Sequence, residues 1–137
     1  MKTDLAYVFC KIVLGESPCV KLREDENGHC LVLTKEHYPT LLRHHRRDDI
    51  TGEAFAAVSR SVRRIGRAVN DALSPAGLNL VQANGAGSHQ TVNHFHVHVL
   101  PRNLGDKLPL NLGAKPGDPA TIAAVAEKIQ AAMLLYP

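Results

Sequence analysis

Apolar residues along this chain repeat with a helical period in some stretches and with a strand period in others, and each change of period marks an element. In residues 3–14, Leu5, Val8, Phe9, Ile12 and Val13 fall on one helical face, and Gly15 with Pro18 stops the run. Residues 19–23 and 29–34 read as extended. The second of these, HCLVLT, opens after the turn dipeptide Asn27-Gly28 and predicts a buried strand. A long amphipathic helix is predicted over 52–73, where Phe55, Val58, Val62, Ile65, Val69 and Leu73 recur every three or four residues. Thr51 is placed to cap it and Pro75 with Gly77 to end it, while Arg60, Arg63, Arg64 and Arg67 read as its solvated face. Residues 78–83 alternate as a strand, 84–89 form a glycine-rich turn, and 90–101 predict a second, stronger strand. Asp118 caps a last helix with Pro119 at its first position and Ile122, Val125, Ile129 and Met133 as its buried stripe. Residues 102–117 read as an irregular excursion, and with no repeat or linker the chain is expected to be one domain, 1–137.

Composition narrows the class. At 137 residues, 45% hydrophobic and 21% charged, the chain can bury an ordinary globular core without staples. A net charge of +3 suits an anionic ligand but is too small for a nucleic-acid groove, and no tryptophan is present to stack a base. The apolar run at the N-terminus is too short to span a bilayer, so no membrane partner is expected. Three cysteines, Cys10, Cys19 and Cys30, are an odd number without a Cys-x-x-Cys pair, which favours a reducing cytoplasm over a disulfide scaffold. The segment LLRHHRRDD over 41–49 reads as solvated, since its paired aspartates blunt its attraction for anions.

The chemistry concentrates in QTVNHFHVHVLPR. His94, His96 and His98 recur every second residue, so a strand would project all three from one face and send Phe95, Val97 and Val99 toward the core. Histidine titrates near neutrality and can act as nucleophile, acid, base or metal ligand. A shared zinc is the sharper alternative, but the outer pair would sit about 13 Å apart along an extended strand, at about 3.3 Å per residue. Further ligands would then have to come from His29, His37 or His89. The same spacing suits an extended phosphate chain, with the middle ring on phosphorus and its neighbours on flanking oxygens. The turn Asn84-Gly85-Ala86-Gly87-Ser88 offers backbone amides that an anion can approach, and Gln90 and Thr91 add an amide and a hydroxyl.

These residues resemble the histidine-triad (HIT) family, whose signature of three histidines separated by single apolar residues and followed by two more is met by His94-Phe95-His96-Val97-His98-Val99-Leu100. The likeness extends to GLNLVQANG, to GHCLVLTKEHY, to VFCKIVLGESP and to the acidic pair Glu24-Asp25, and covers a core of residues 6–102. The Leu-Pro-Arg ending is similar to the fragile-histidine-triad-like and bacterial branches. The resemblance implies an α+β fold with a mainly antiparallel sheet, one long helix and a C-terminal helix, usually as a homodimer. It implies hydrolysis or nucleotidyl transfer on a nucleoside 5′-phosphoramidate or dinucleoside polyphosphate, with an adenine or other purine base, through a covalent nucleotidyl-histidine. His96 would be the nucleophile, with His94 and His98 orienting it and stabilising phosphate charge. Gln90 and Thr91 would contact the phosphate, Asn84 would lie near the substrate, and His29 would support the imidazoles. No metal and no cofactor is implied for the chemistry.

The sequence departs from the family pattern at Glu26-Asn27-Gly28, where a further strand that helps hold the ribose is usual. Ala83 stands eleven residues before His94 where an amide is frequent, and His89 replaces a small residue before Gln90. Some bacterial members bind structural zinc through an N-terminal Cys-x-x-Cys; here Tyr7 stands at the first cysteine, which leaves Cys10 as a buried thiol. Two alternatives therefore stand beside the enzyme reading. One is a nucleotide-binding protein of the same fold with little turnover, and the other is a histidine-ligated metal enzyme.

Overall fold

The computed structural model describes residues 28–42, 50–107 and 118–136. The helix expected over 3–14, the strand over 19–23, Glu26-Asn27, Tyr7, Cys10, most of 41–49 and most of 102–117 lie outside these residues. In chain order the elements are β1 (Cys30–Leu33), α1 (Gly52–Leu73), β2 (Gly77–Val81), a 3-10 turn (Ala86–Ser88), β3 (His96–Arg102) and α2 (Pro119–Met133). The strands form an antiparallel sheet in the order β1-β3-β2, with α1 packed on the sheet and α2 along α1. This is the α+β arrangement that the family resemblance implies, with the long helix and the C-terminal helix where the patterning predicts them. Among the described residues no helix is long and apolar enough to cross a membrane.

Local chemistry explains both helices. Thr51 Oγ1 accepts from Ala54 N–H at 3.1 Å and Asp118 Oδ2 from Thr121 N–H at 2.8 Å, each satisfying an amide that the first turn leaves without an acceptor. Helix α1 ends at Leu73 as the periodicity predicts, capped by Ser74 in the left-handed region (φ 46), whose N–H donates to Asn70 O. Val58, Val62 and Val69 bury one stripe of α1, and Ile122, Ala126 and Ile129 bury one of α2. These join Cys30, Val32 and Val99 in a single core. Gly28 stands where the two helices meet the start of β1. Its φ of +80 suits glycine, and an added Cβ would collide with the Leu73 side chain and lie 3.3 Å from Val125 Cγ1.

Register decides what the sheet shows to each side. Leu31 pairs with His98 and Leu33 with His96, whereas Cys30 pairs with Val99 and Val32 with Val97. Alternation therefore assigns Cys30, Val32, Val97 and Val99 to the helix side, and Leu31, Leu33, His96 and His98 to the other. On β2, Val81 pairs with His98.

The strand boundaries differ from the sequence expectation, most of all at β3. Strand β3 runs from His96 to Arg102, not from Gln90 to Pro101. Its partner β1 ends at Leu33, opposite His96, so no ladder extends upstream. Gly85 (φ 81) and His89 (φ 61) also turn the chain with positive φ angles before the strand begins.

Candidate active site

Strand β3 supplies two neighbouring imidazoles, and the residue before Phe95 supplies a third with a different setting. His96 and His98 stand edge to face, their ring centroids 5.0 Å apart at 75°. His94 lies outside the strand and is fully buried. Its Nε2 sits 2.6 Å from the Thr34 carbonyl oxygen and 3.3 Å from Thr34 Oγ1. The His37 ring meets it edge-on, with centroids 5.3 Å apart. A carbonyl oxygen only accepts, so His94 Nε2 carries the proton. Phe95, between the two, is anchored twice: its ring is buried against Phe55 at 5.9 Å, and its N–H donates to Tyr38 O at 2.6 Å.

The same logic fixes the tautomer of His96. Its Nδ1 lies 2.6 Å from the carbonyl oxygen of His94, so Nδ1–H donates and the neutral ring holds its lone pair on Nε2. Burial pushes the pKa of His94 down, more than the Thr34 carbonyl pulls it up, and the charges His37 and His96 could carry lower it further. A neutral His94 and an oriented His96 follow.

The turn before the triad is tied to the strap after β1. Gln90 is the clasp: its Oε1 accepts from Gly85 N–H at 2.8 Å, and its Nε2 donates to Pro39 O at 2.7 Å and Val92 O at 3.0 Å. Asn84 Oδ1 accepts from Leu41 N–H at 2.6 Å and from Gln82 Nε2 at 3.0 Å. Both amides expected to face a substrate are thus spent on the protein itself. Thr91 is exposed beside them. His29 is buried one residue before β1, two residues from the Leu31 that pairs with His98. The structure therefore brings His96 and His98 together and sets His94 behind them, while Gln90 and Asn84 shape the adjoining loop.

Sequence reasoning missed Thr34 and treated His37 only as a reserve metal ligand. Both lie at or just past the end of β1, and only the pairing of β1 with β3 reveals that they reach His94. Beyond the strand, Arg102 Nε donates to Asp106 Oδ2 at 2.9 Å and its Nη1 to Asn79 Oδ1 at 2.9 Å, which secures the end of β3. His37 and His94 are two candidate donors side by side, but no group of three or more His, Cys, Asp or Glu among the described residues could hold a metal ion.

The chain is similar to known proteins in sequence and in fold. The chain is 37% identical over 113 residues to an adenylylsulfatase from Arabidopsis thaliana, an alignment covering 74% of this chain and 54% of that protein. The chain thus spans about half the length of that relative. It is 31% identical over 139 residues to an adenosine 5′-monophosphoramidase from Schizosaccharomyces pombe, covering 91% of this chain and 96% of the relative. A crystal structure of a Hit-like protein from Bartonella henselae superposes with a TM-score of 0.78 at 28% identity, over 96% of this chain and 99% of the other. Residues 14–105 match the HIT domain as a whole, triad included. By its sequence and by its fold, the chain belongs to the HIT domain family.

Proposed function

We propose that this protein is a nucleotide hydrolase that cleaves a nucleoside 5′-phosphoramidate or a dinucleoside polyphosphate at the α-phosphorus. The observation that carries the reading is the 2.6 Å bond from His96 Nδ1–H to the His94 carbonyl, because it turns the lone pair of a neutral imidazole onto Nε2. In the first step Nε2 attacks phosphorus, a P–N bond to His96 forms, and the bond to the leaving amine or phosphate breaks as that group takes a proton from solvent. The positive charge that develops on the His96 ring is met by the His94 carbonyl dipole. His98, 5.0 Å away ring to ring, is placed to hold a non-bridging oxygen. In the second step water attacks phosphorus, the P–N bond to His96 breaks, and the attacking water gives up a proton to solvent, which balances the one the leaving group took. The names of the two curated relatives support an adenine nucleotide.

The test is intact mass spectrometry after brief, quenched exposure to an adenosine phosphoramidate and to diadenosine polyphosphates. An adenylyl adduct mapped to His96, with turnover far above that of His96→Ala, is the expected result. Transfer of the nucleotidyl group to an acceptor other than water belongs to the same chemistry and is read from the products.

A second reading has a specific observation behind it. Asn84 and Gln90 bond to protein partners, and Ala83 offers no polar group. A nucleotide-binding protein with little turnover would look the same, and it predicts normal nucleotide affinity with turnover no better than His96→Ala.

We also read the chain as one domain that forms a homodimer in a reducing cytoplasm. Among the described residues β2 is an edge strand, and Leu80 on it is 58% exposed. A second copy pairing along this open edge would cover Leu80.

A further inference from the structure

On α1, Arg60, Arg63, Arg64 and Arg67 follow one another at spacings of three and one. At 100° per residue they occupy an arc of about 100° along about 10 Å of helix. The arc lies opposite the buried Val58, Val62 and Val69, and Arg63 and Arg67 also border Leu78 and Leu80 of β2. Tyr136, beyond α2, closes it into a cleft of about 350 Å³ lined by Arg60, Ser61, Arg63, Arg64, Arg67 and Tyr136. No carboxylate is among those residues.

Two of the guanidiniums are held in place. Arg64 donates through Nε to the Tyr136 carbonyl and through Nη2 to the Met133 carbonyl at 3.4 Å. Arg67 lies over the Tyr136 ring, 5.7 Å from its centroid. The Tyr136 hydroxyl donates to Asp71, which occupies the acid next along the helix. Arg60 and Arg63 are exposed, and among the described residues neither is in an ion pair.

Like charges three and four residues apart weaken a helix, so this face stands at a cost that a shared anion would relieve. Guanidinium forks match phosphate oxygens two at a time, and they are poorly hydrated enough to exchange water for them. The length of the arc suits several linked phosphoryl groups better than one. We propose that this cleft binds an oligophosphate, either inorganic polyphosphate or the phosphate tail of a nucleotide. The site is separate from the histidines, which stand on the sheet face away from α1.

The test is calorimetric titration of inorganic tripolyphosphate into the full chain at fixed ionic strength, with sulfate as the comparison anion. Saturable binding is expected, tighter than for sulfate and unchanged in His96→Ala. Arg60→Gln/Arg63→Gln should weaken it about ten-fold or more, as loss of charge-assisted bonds to phosphate implies. Arg60→Lys/Arg63→Lys, which keeps the charge but not the fork, should fall between. Competition by ATP would identify the nucleotide tail as a ligand, and its absence would leave inorganic polyphosphate. Undiminished affinity in the glutamine variant, binding lost in His96→Ala, or sulfate binding as tightly as tripolyphosphate would each overturn the proposal.

Discussion

His96 Nδ1 lies 2.6 Å from the main-chain oxygen of His94, so the tautomer of the proposed nucleophile is set by backbone two residues earlier. The His94 ring then has a different task. It anchors that stretch of backbone through Nε2–H to the Thr34 carbonyl, at the end of the neighbouring strand. Orientation passes from β1 to β3 through one buried ring.

Because the acceptor is a main-chain atom, His96→Ala and His94→Ala should fail differently. Losing His96 removes the nucleophile, and kcat should fall about 10³-fold or more. Losing the His94 ring leaves the carbonyl in place but empties a buried site, at a cost of about 2–4 kcal/mol in stability. Its kcat should drop by about ten- to a hundredfold through misplacement of His96. Single-turnover kinetics and urea unfolding on both variants check this. A His94→Ala protein as stable as the parent and as inactive as His96→Ala would contradict it.

Gln90 offers a sharper contrast, between Ala and Glu. The alanine variant loses three bonds, to Gly85 N–H, Pro39 O and Val92 O. Glutamate can keep the bond from Gly85, yet it sets a carboxylate oxygen against two carbonyl oxygens. We expect Gln90→Glu to be the less stable of the two, by about 1 kcal/mol or more. If Gln90 instead faces phosphate directly, kcat/KM rather than stability will carry the difference.

How much of this was readable in the sequence depends on how local the cause is. The span of α1, its Thr51 cap, the Asp118-Pro119 start of α2 and the helix-side placement of Val97 and Val99 follow from periodicity and capping chemistry. The start of β3 did not, because alternation over 90–95 looks the same in a bend as in a strand. What ends the strand is the pairing of Leu33 with His96, sixty-three residues apart in the chain. The His-x-His-x-His spacing pointed to the candidate site, but not that His94 turns to Thr34 while His96 and His98 stay together. Likewise the four arginines were visible on one helical face, whereas the Tyr136 that closes their cleft is a long-range contact.

Gly28 should tolerate no side chain. Alanine there must adopt φ near +80 and push aside Leu73, with Val125 Cγ1 3.3 Å from its Cβ. The left-handed conformation and the overpacking together predict a loss of about 2–4 kcal/mol in Gly28→Ala, read from urea denaturation. A loss below about 1 kcal/mol would mean that β1 enters the core by another route.

The dimer reading makes a surface test possible. Leu80→Arg places a charge on the exposed edge strand, and light scattering should then report a monomer. Leu104→Arg, at a residue 94% exposed and outside the edge strand, serves as the control and should leave the mass unchanged. A dimer that survives Leu80→Arg would move the interface elsewhere.

Stability should fall in mild acid, and His94 should account for part of it. Burial holds its pKa below the ordinary 6.5, despite the opposing pull of the Thr34 carbonyl. Below about pH 6.5 the unfolded chain therefore binds a proton that the folded chain refuses, so unfolding is favoured as pH drops. The contribution is fully present above the unfolded pKa, declines as pH falls from there toward the lowered folded pKa, and levels off beneath it. His94→Gln keeps an N–H donor for Thr34 but cannot titrate. Urea midpoints for parent and variant, measured from about pH 7.5 to 5, should diverge in slope, with the variant flatter across the window in which His94 titrates. Parallel curves would show that His94 takes up its proton as readily folded as unfolded, and a neutral, buried anchor for the His96 backbone would no longer be tenable.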